Sequence, residues 1–432
     1  MTDINSLYIH IPFCISKCKY CDFFSIPCKK NNFTCSDKKK LIQDSYIDSL
    51  CNELAYRINR FGLKKIDTIY IGGGTPSLLE INQLKKIFSV INENVFVDKN
   101  AEITIESNPD DITVDMISGW DKIGINRISL GIQSFDDKAL SYVSRRADSN
   151  TNYKALEIIK EKWHKDLSID MICVLPTQSS ASFIHDVKSL LGLGPSHISM
   201  YSLTIEEETP LGHEYYTGAL NYNFDFADQL WLTCKELLKQ GGYKHYEVSN
   251  FCLPGKECRH NLRYWSHQSY IGCGSGGAGS VYRDDGSCFR WTNVKNIKEY
   301  TDFWNSKKYS EVKTMLSSDI PYSEEYIQGG NVPVPEVIEN ISVETSVFEF
   351  FMMGLRKLEG IREDDFVNIF HEPVPENILK TFYKWAEQGL CEIKENKSAK
   401  QNVNHFSYSK SRCFTLGHKG ILYLNKFLEE II

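Results

Sequence analysis

The sequence predicts an α/β fold in which parallel strands alternate with helices, followed by a smaller C-terminal domain that is mostly helical and winged-helix-like. Three observations lead to this prediction. Six short apolar runs between Leu7 and Leu203 are separated by segments of helical spacing. Strands separated by helices pair in parallel through right-handed crossovers. The residues from Phe348 to Ile432 show three helical patterns and a possible hairpin across Phe406 to Leu416.

The composition is that of a globular protein and argues against several functional classes. The chain has 432 residues, which suggests two or three domains. Its formal charge of -7, from 49 basic and 56 acidic residues, argues against a nucleic-acid binder. The first residues lack the features of a signal peptide, and we expect no integral membrane segment. We therefore expect a cytoplasmic protein whose 14 cysteines serve a metal site or the core.

The predicted strands end in polar residues. The strands are Leu7 to Ile11, Asp67 to Ile71, Glu102 to Glu106, Arg127 to Gly131, Leu167 to Val174 and His197 to Leu203. Glu106 ends the third strand, Gln133 follows the fourth, Asp170 lies in the fifth, and Arg145 lies near the end of a helix. Carboxylates suit hydroxyl and ammonium groups, and a guanidinium suits a carboxylate. Taken singly, each is more often a structural hydrogen-bond partner or a solvated charge.

Three cysteines follow the first strand at short spacing. Cys14, Cys18 and Cys21 are separated by four and then three residues. Thiolates are the usual ligands of iron–sulfur clusters and zinc. A structural zinc site normally needs four protein ligands, whereas three cysteines on a four-iron cluster leave one iron open to a small molecule. The alternatives are three core cysteines, or a zinc site completed by Cys28 or Cys35.

The cysteine loop and a glycine-rich turn together resemble the radical S-adenosylmethionine (radical SAM) superfamily. They are the C-x3-C-x2-C loop with Tyr20 before its last cysteine, and Gly72-Gly73-Gly74-Thr75-Pro76 after the second strand. The resemblance implies a partial (β/α)6, TIM-like barrel with a [4Fe-4S] cluster, and S-adenosylmethionine bound to the open iron. The glycines indicate a close approach of backbone to ligand. We therefore expect Gly74→Val to obstruct binding and to leave the fold intact.

Downstream motifs resemble one family within that superfamily. They are the YEVSNF segment ending at Phe251, the HNLRYW segment from His260 to Trp265, the glycine-rich stretch from Gly272 to Gly277, and the segment from Phe351 to Arg356. Together they resemble the heme chaperone HemW family, relatives of oxygen-independent coproporphyrinogen III oxidase. The resemblance implies a chaperone that binds heme and passes it to acceptor proteins such as respiratory enzymes.

The resemblance also implies roles for individual residues. Cys14, Cys18 and Cys21 would hold the cluster, His260 would bind heme, and S-adenosylmethionine sites would be lined by Tyr8, Tyr20, Gly73, Gly74, Thr75, Glu106, Gln133, Arg145 and Asp170. Imidazole is a common axial heme ligand. If its segment is helical, His260 shares a face with Tyr264. The alternative is a structural histidine packed on Trp265.

Some positions depart from the family pattern. The oxidase branch carries a further cysteine two residues after the third cluster ligand, where this chain has Phe23. This argues against the alternative function, a coproporphyrinogen III dehydrogenase that decarboxylates propionate side chains by radical chemistry. A zinc or structural cysteine protein is a third possibility. Ala147 and Val174 stand where the family carries histidine and glycine, and a histidine expected near Ala278 is missing.

The predicted organisation has four parts. Residues 1–250 form the barrel with the cluster loop, and residues 251–306 continue the core with the HNLRYW and glycine-rich segments. Residues 307–340 are polar and form a linker or an elaborated loop. Residues 341–432 form a C-terminal domain of the type found in the oxidase and chaperone relatives.

Overall fold

A nine-stranded sheet organises the larger part of the chain in this computed structural model, which describes residues 4–27, 36–306, 334–396 and 411–432. Cys28, Cys35 and most of the predicted linker lie outside the described residues. The strands are β1 Ser6–Ile11, β2 Phe13–Cys14, β3 Ile26–Pro27, β4 Lys65–Gly73, β5 Phe96–Ser107, β6 Arg127–Gln133, β7 Asp166–Cys173, β8 His197–Ser202, β9 Lys244–His245, β10 Asn250–Cys252, β11 Ile271–Cys273, β12 Ala278–Tyr282, β13 Cys288–Asn293, β14 Glu336–Ile341, β15 Ile361–Arg362, β16 Glu392–Asn396 and β17 Ser411–Thr415.

Helices connect and cover these strands. They are α1 Ser36–Arg60, α2 Ile81–Asn94, α3 Val114–Ile123, α4 Asp137–Tyr142, α5 Ser149–Lys162, α6 Ser180–Leu193, α7 Pro210–Tyr216, α8 Phe224–Gln240, α9 Arg259–Trp265, α10 Ile297–Trp304, α11 Val343–Gly354, α12 Glu363–Phe370, α13 Glu376–Glu387, α14 Gly417–Gly420 and α15 Leu424–Ile431. None of the helices in the described ranges is long and apolar enough to cross a membrane.

The six predicted strands form the parallel centre of the sheet. They are β1, β4, β5, β6, β7 and β8, and they lie side by side in chain order. Their apolar side chains belong to one continuous core, which includes Leu7, Ile69, Ile105 and Ile169. The predicted α/β fold with six parallel strands is confirmed. Because the strands are parallel, their carboxyl ends lie along one edge of the sheet.

Three short strands that the sequence pattern did not indicate extend this sheet. β11 pairs in parallel with the outer edge of β1, with Leu7 opposite Ile271. β10 pairs antiparallel with β8, and β9 pairs with β10. A strand of two or three residues is too short to show a periodicity.

A buried ion network holds the glycine-rich segment behind β1. The backbone N–H of Gly274 donates to Glu53 at 2.7 Å. Glu53 also accepts from Arg57 at 2.6 Å, and Arg57 lies 2.6 Å from Glu336 and over the ring of Trp291. Both α1 side chains are almost fully buried, and buried charges need such partners. The glycine-rich stretch therefore supplies an edge strand of the sheet, β11 beside β1.

The C-terminal part has its own hydrophobic core, from Phe350 to Ile431. It contains α11, α12, α13 and α15, with a three-stranded antiparallel sheet in the order β15-β17-β16. β17 lies within the predicted hairpin, but its described partner, β16, precedes that hairpin, and residues 397–410 lie outside the described residues. Lys357 Nζ donates to Ser266 Oγ at 3.1 Å, which joins this part to α9. The four domain limits stay a prediction.

Candidate functional site

A cavity of about 460 Å³ opens at the carboxyl ends of the parallel strands. Most of the predicted site residues line it: Cys14, Cys18, Tyr20, Cys21, Gly73, Gly74, Thr75, Glu106, Gln133, Arg145 and Asp170. Tyr8 and His260 are not among the residues of its wall. The structure therefore brings together side chains from β4 to β7 and from the loop after β1.

The cysteine loop is held at the mouth by a small sheet and by hydrogen bonds. β2 pairs with β3 in parallel, with Cys14 opposite Pro27. Thr75 Oγ1 donates to Cys14 Sγ at 3.4 Å, and Arg145 Nη1 donates to Cys18 Sγ at 3.7 Å. Burial raises the pKa of Cys21 to about 11. Within the described residues, no three His, Cys, Asp or Glu side chains converge closely enough to hold one metal ion. In a four-iron cluster each cysteine binds a different iron, so the three thiols need not converge on one point.

A hydrogen-bond network across the cavity wall connects Cys14 with Cys18. Arg145 Nη2 donates to Asn108 Oδ1 at 2.9 Å and to the carbonyl of Gly131. Asn108 Nδ2 in turn donates to Thr75 Oγ1 at 3.3 Å. The sequence analysis missed Asn108, although it is the first residue after β5. Its position at a strand end was the available signal.

Two carboxylates face the interior of the cavity. Glu106 accepts from Tyr70 Oη at 2.8 Å and from the backbone N–H of Gly73 at 3.0 Å. Burial raises the pKa of Glu106 to about 7, although Tyr70 and Gly73 both lower it. Asp170 accepts from Ser129 Oγ at 2.8 Å, and burial raises its pKa as well. Both groups keep acceptor capacity toward the open volume.

The glycine turn is shaped by its own packing against the first strand. Gly73 has φ +109°, and a Cβ there would lie 2.5 Å from the His10 ring. A Cβ on Gly74 would lie 2.8 Å from the carbonyl oxygens of Ile11 and Phe13. These contacts are with backbone and with a buried ring, so glycine is required by the fold. The expectation that Gly74→Val leaves the fold intact is wrong.

Two residues near the mouth have left-handed backbone conformations. Gln133 has φ 67° and Val174 has φ 55°. A β-branched residue in this region is strained, whereas glycine adopts it freely. This gives a physical reason for the glycine that the family carries in place of Val174. Strained residues gather at functional sites, and Gln133 lines the cavity.

His260 is fully buried below the cavity on α9. Its Nδ1 lies 2.9 Å from Thr68 Oγ1, and its Nε2 lies 2.8 Å from Tyr264 Oη. Thr68 donates its proton to Ser6 Oγ at 3.0 Å, so Nδ1 is the donor and Nε2 accepts from the tyrosine. Burial lowers the pKa of His260 to about 3. The nitrogen lone pair that would bind iron is thus occupied, and this placement gives no support to an axial role.

The surroundings of His260 also differ from the structural alternative, which paired it with Trp265. Its ring stacks on Tyr70 at 5.3 Å between centroids and meets Tyr264 edge-on at 5.2 Å. The predicted shared helical face of His260 and Tyr264 is confirmed by their hydrogen bond.

Two aromatic side chains at the cavity are exposed. Phe23 is 62 % exposed and Tyr201 is 40 % exposed, and both belong to the cavity wall. Phe23 was singled out in the sequence only as a departure from the oxidase pattern, and Tyr201 was missed. Apolar rings left open to solvent beside a cavity suit an apolar or aromatic ligand.

Comparisons with known proteins agree with this architecture. The family model of the Radical SAM superfamily matches residues 8–190. The heme chaperone HemW of Buchnera aphidicola subsp. Acyrthosiphon pisum is 31 % identical over 98 % of this chain and 97 % of its own length. The heme chaperone HemW of Haemophilus influenzae is 30 % identical over 98 % of this chain and 97 % of its own length.

A solved structure supports the fold. Coproporphyrinogen III oxidase (HemN) from Escherichia coli, a radical SAM enzyme, superposes with a TM-score of 0.71. The two chains are 20 % identical, and the match covers 99 % of this chain and 90 % of that one. Similarity at this identity shows the fold alone. With the cysteine loop, the glycine turn and the full-length relatives, the chain belongs to the heme chaperone HemW family of the radical SAM superfamily.

Proposed function

We propose that this protein is a radical-SAM-type heme chaperone that binds a [4Fe-4S] cluster, S-adenosylmethionine and heme, and passes heme to acceptor proteins such as respiratory enzymes. The observation that carries the proposal is the gathering of three cysteines, a glycine turn and two carboxylates around one cavity. The chain carrying them is related over nearly its whole length to heme chaperones. We place the activity in the cytoplasm, where thiols stay reduced.

The cysteine loop fits a cluster. Cys14, Cys18 and Cys21 would be its ligands, and the donors Thr75 and Arg145 already reach two of the sulfurs. Hydrogen bonds to ligating sulfurs stabilise the thiolate form and tune the potential of a cluster. When bound and reduced, such a cluster supplies one electron to the sulfonium of S-adenosylmethionine.

The cavity beside the loop fits S-adenosylmethionine. Glu106 and Asp170 are acceptors for ammonium and hydroxyl groups. Arg145 has a buried Nε with no hydrogen-bond partner among the described residues, and an unpaired buried donor is costly unless a ligand satisfies it. A carboxylate is a suitable partner for that guanidinium.

The rim of the cavity fits heme better than the interior does. Phe23 and Tyr201 expose aromatic rings there, and aromatic rings bury an apolar macrocycle favourably. His260, by contrast, has both ring nitrogens occupied. We therefore propose that heme is bound at the rim, and we do not propose His260 as an axial ligand of the heme iron.

Absorbance spectra of anaerobically purified protein, with and without added heme, test this function. We expect the Soret band of protein-bound heme to saturate on titration. When an acceptor protein without heme is added, the band should change to the Soret spectrum of the acceptor, because transfer moves the heme and leaves its absorbance in place. Phe23→Ala should weaken heme binding. Phe96→Ala is the matched control, because Phe96 is 64 % exposed on β5 and does not line the cavity.

The same preparation tests the oxidase alternative. With a strong reductant, S-adenosylmethionine and coproporphyrinogen III, we expect no protoporphyrinogen IX. Turnover to that product would overturn the chaperone function and favour the radical decarboxylase.

A further inference from the structure

His260 belongs to a column of aromatic rings below the cavity. Tyr8 stacks on Tyr70 at 6.3 Å with an interplanar angle of 26°. Tyr70 stacks on His260 at 5.3 Å with an angle of 27°. Thr68 and Tyr264 hold the two nitrogens of the imidazole from opposite sides. The orientation of the His260 ring is therefore fixed, and Tyr70 rests on it.

Tyr70 connects this column to the cavity. Its hydroxyl donates to Glu106 Oε1 at 2.8 Å, while Glu106 Oε2 accepts from the N–H of Gly73 at 3.0 Å. The glycine turn thus holds one oxygen of the carboxylate in position, and the tyrosine holds the other. A shift of the Tyr70 ring would release Oε1.

We propose that His260 is a positioning residue for S-adenosylmethionine: by holding the ring of Tyr70, it keeps Glu106 directed at the ligand in the cavity. This inference rests on the proposed S-adenosylmethionine site and assigns the HNLRYW segment to that site and not to heme iron. A neutral imidazole suits the role, because it can stack on Tyr70 without the cost of burying a charge.

Other groups also lie near Glu106. Asp170 from β7 raises its pKa, whereas Tyr70 and the backbone N–H of Gly73 lower it. Tyr8 from β1, Tyr201 from β8 and Tyr264 from α9 lie close enough for the charge of Glu106 to raise their own pKa values. Of these, Tyr70 donates the side-chain hydrogen bond that favours the ionised carboxylate. Loss of that bond should move the protonation of Glu106 to higher pH.

The experiment measures S-adenosylmethionine binding by calorimetry across pH 6–9, using protein that contains its cluster. His260→Ala should weaken binding roughly three- to tenfold, the range expected for one lost hydrogen bond. It should also raise the pH at which affinity reaches half its maximum. Tyr70→Phe should reproduce both effects. His260→Phe keeps a stacking ring and should restore at least half of the lost affinity.

His267→Phe is the matched control. His267 is also buried and hydrogen-bonded, to Ser346 at 2.9 Å, but it packs against Tyr282 and the C-terminal core. Its replacement should leave the affinity and the pH midpoint unchanged. If His260→Ala fails to fold, Thr68→Val and Tyr264→Phe each remove one hydrogen bond of the imidazole and should shift the midpoint in the same direction.

Heme titration separates this inference from its rival. We expect the Soret band of the His260→Ala and His260→Phe proteins to match that of the unaltered protein. Loss of the Soret band in both, with unchanged S-adenosylmethionine affinity, would overturn the positioning role and restore the iron-ligand role. Failure of the unaltered protein to bind S-adenosylmethionine or heme would instead contradict the proposed function.

Discussion

Each end of the parallel strands carries a buried or partly buried glutamate, but the two glutamates differ in their hydrogen-bond partners and in their access to a cavity. At the amino end, Glu102 lies in register with Thr68 and Ser6. It accepts from the backbone N–H groups of Arg259 at 3.1 Å and His260 at 2.9 Å. At the carboxyl end, Glu106 accepts from one tyrosine and one glycine and faces an open cavity.

The difference shows how a structural carboxylate differs from one available to a ligand. Glu102 holds the first turn of α9 and lies 3.6 Å from Arg127, so its charge is used within the fold. Burial raises the pKa of Glu106 to about 7, because its two donors do not replace the water it has lost. Such a perturbed group in a cavity indicates a functional site.

We expect the largest effect, on iron content, when a cysteine at the carboxyl end of the strands is compared with one at the amino end. Cys18→Ser should remove the brown chromophore and roughly four irons per chain, since the cluster would lose one of three ligands. Cys258→Ala should keep both, because Cys258 lies at the amino end, where its Sγ–H donates to Glu102. Iron analysis after anaerobic reconstitution measures the difference. Equal iron contents in the two variants would contradict the assignment of the cluster.

A second comparison concerns glycines and stability. Gly74→Ala should lower the free energy of unfolding by about 1–3 kcal/mol, because its Cβ would meet strand backbone. Gly192→Ala should instead raise it by up to about 1 kcal/mol, because Gly192 lies within α6 with nothing near its Cβ. Urea denaturation compares the two. A neutral Gly74→Ala would show that the turn tolerates a side chain.

A third comparison concerns the two glutamates and pH. The pKa of Glu106 is about 7 in the folded protein and about 4.3 when unfolded. Between about pH 4.3 and pH 7, the folded state therefore holds a proton that the unfolded state has lost. Its contribution to stability is therefore greatest below about pH 4.3 and is lost as pH rises to about 7. Glu106→Gln should remove that loss and raise stability at pH 8 by about 1 kcal/mol, after screening by water in the cavity.

Glu102→Gln should have the opposite sign. It removes the charge from hydrogen bonds that fix α9, and should lower stability at pH 8 by about 1–3 kcal/mol. Thermal denaturation at pH 5 and pH 8 measures both variants. Shifts of the same sign would contradict the distinction between the two ends.

The sequence was informative where chemistry follows from strand direction. Glu106 and Asp170 were found because the carboxyl end of each predicted strand had to face one mouth. Asn108 and Tyr70 were missed because neither belongs to a motif, and a tyrosine within an apolar run does not reveal which face it occupies. The short strand β11 was missed because three residues show no periodicity.

For His260, the sequence predicted the local helix but not its position relative to the sheet. The segment from Arg259 to Trp265 is a helix, and His260 meets Tyr264 as the spacing predicted. The spacing does not say toward which end of the strands the helix lies. Gly74 illustrates a related limit, because a glycine needed for packing and one needed for a ligand look alike in a sequence.

The pairing of β11 with β1 has a consequence for synthesis of the chain. β1 emerges from the ribosome long before its partner on the outer edge, which begins at Ile271. At about 5–20 residues per second, that edge waits roughly ten seconds to one minute. Meanwhile an unpaired strand edge, a template for aggregation, stands next to three unprotected thiols. The outer edge of β1 is thus paired only after every other strand of the nine-stranded sheet has been made.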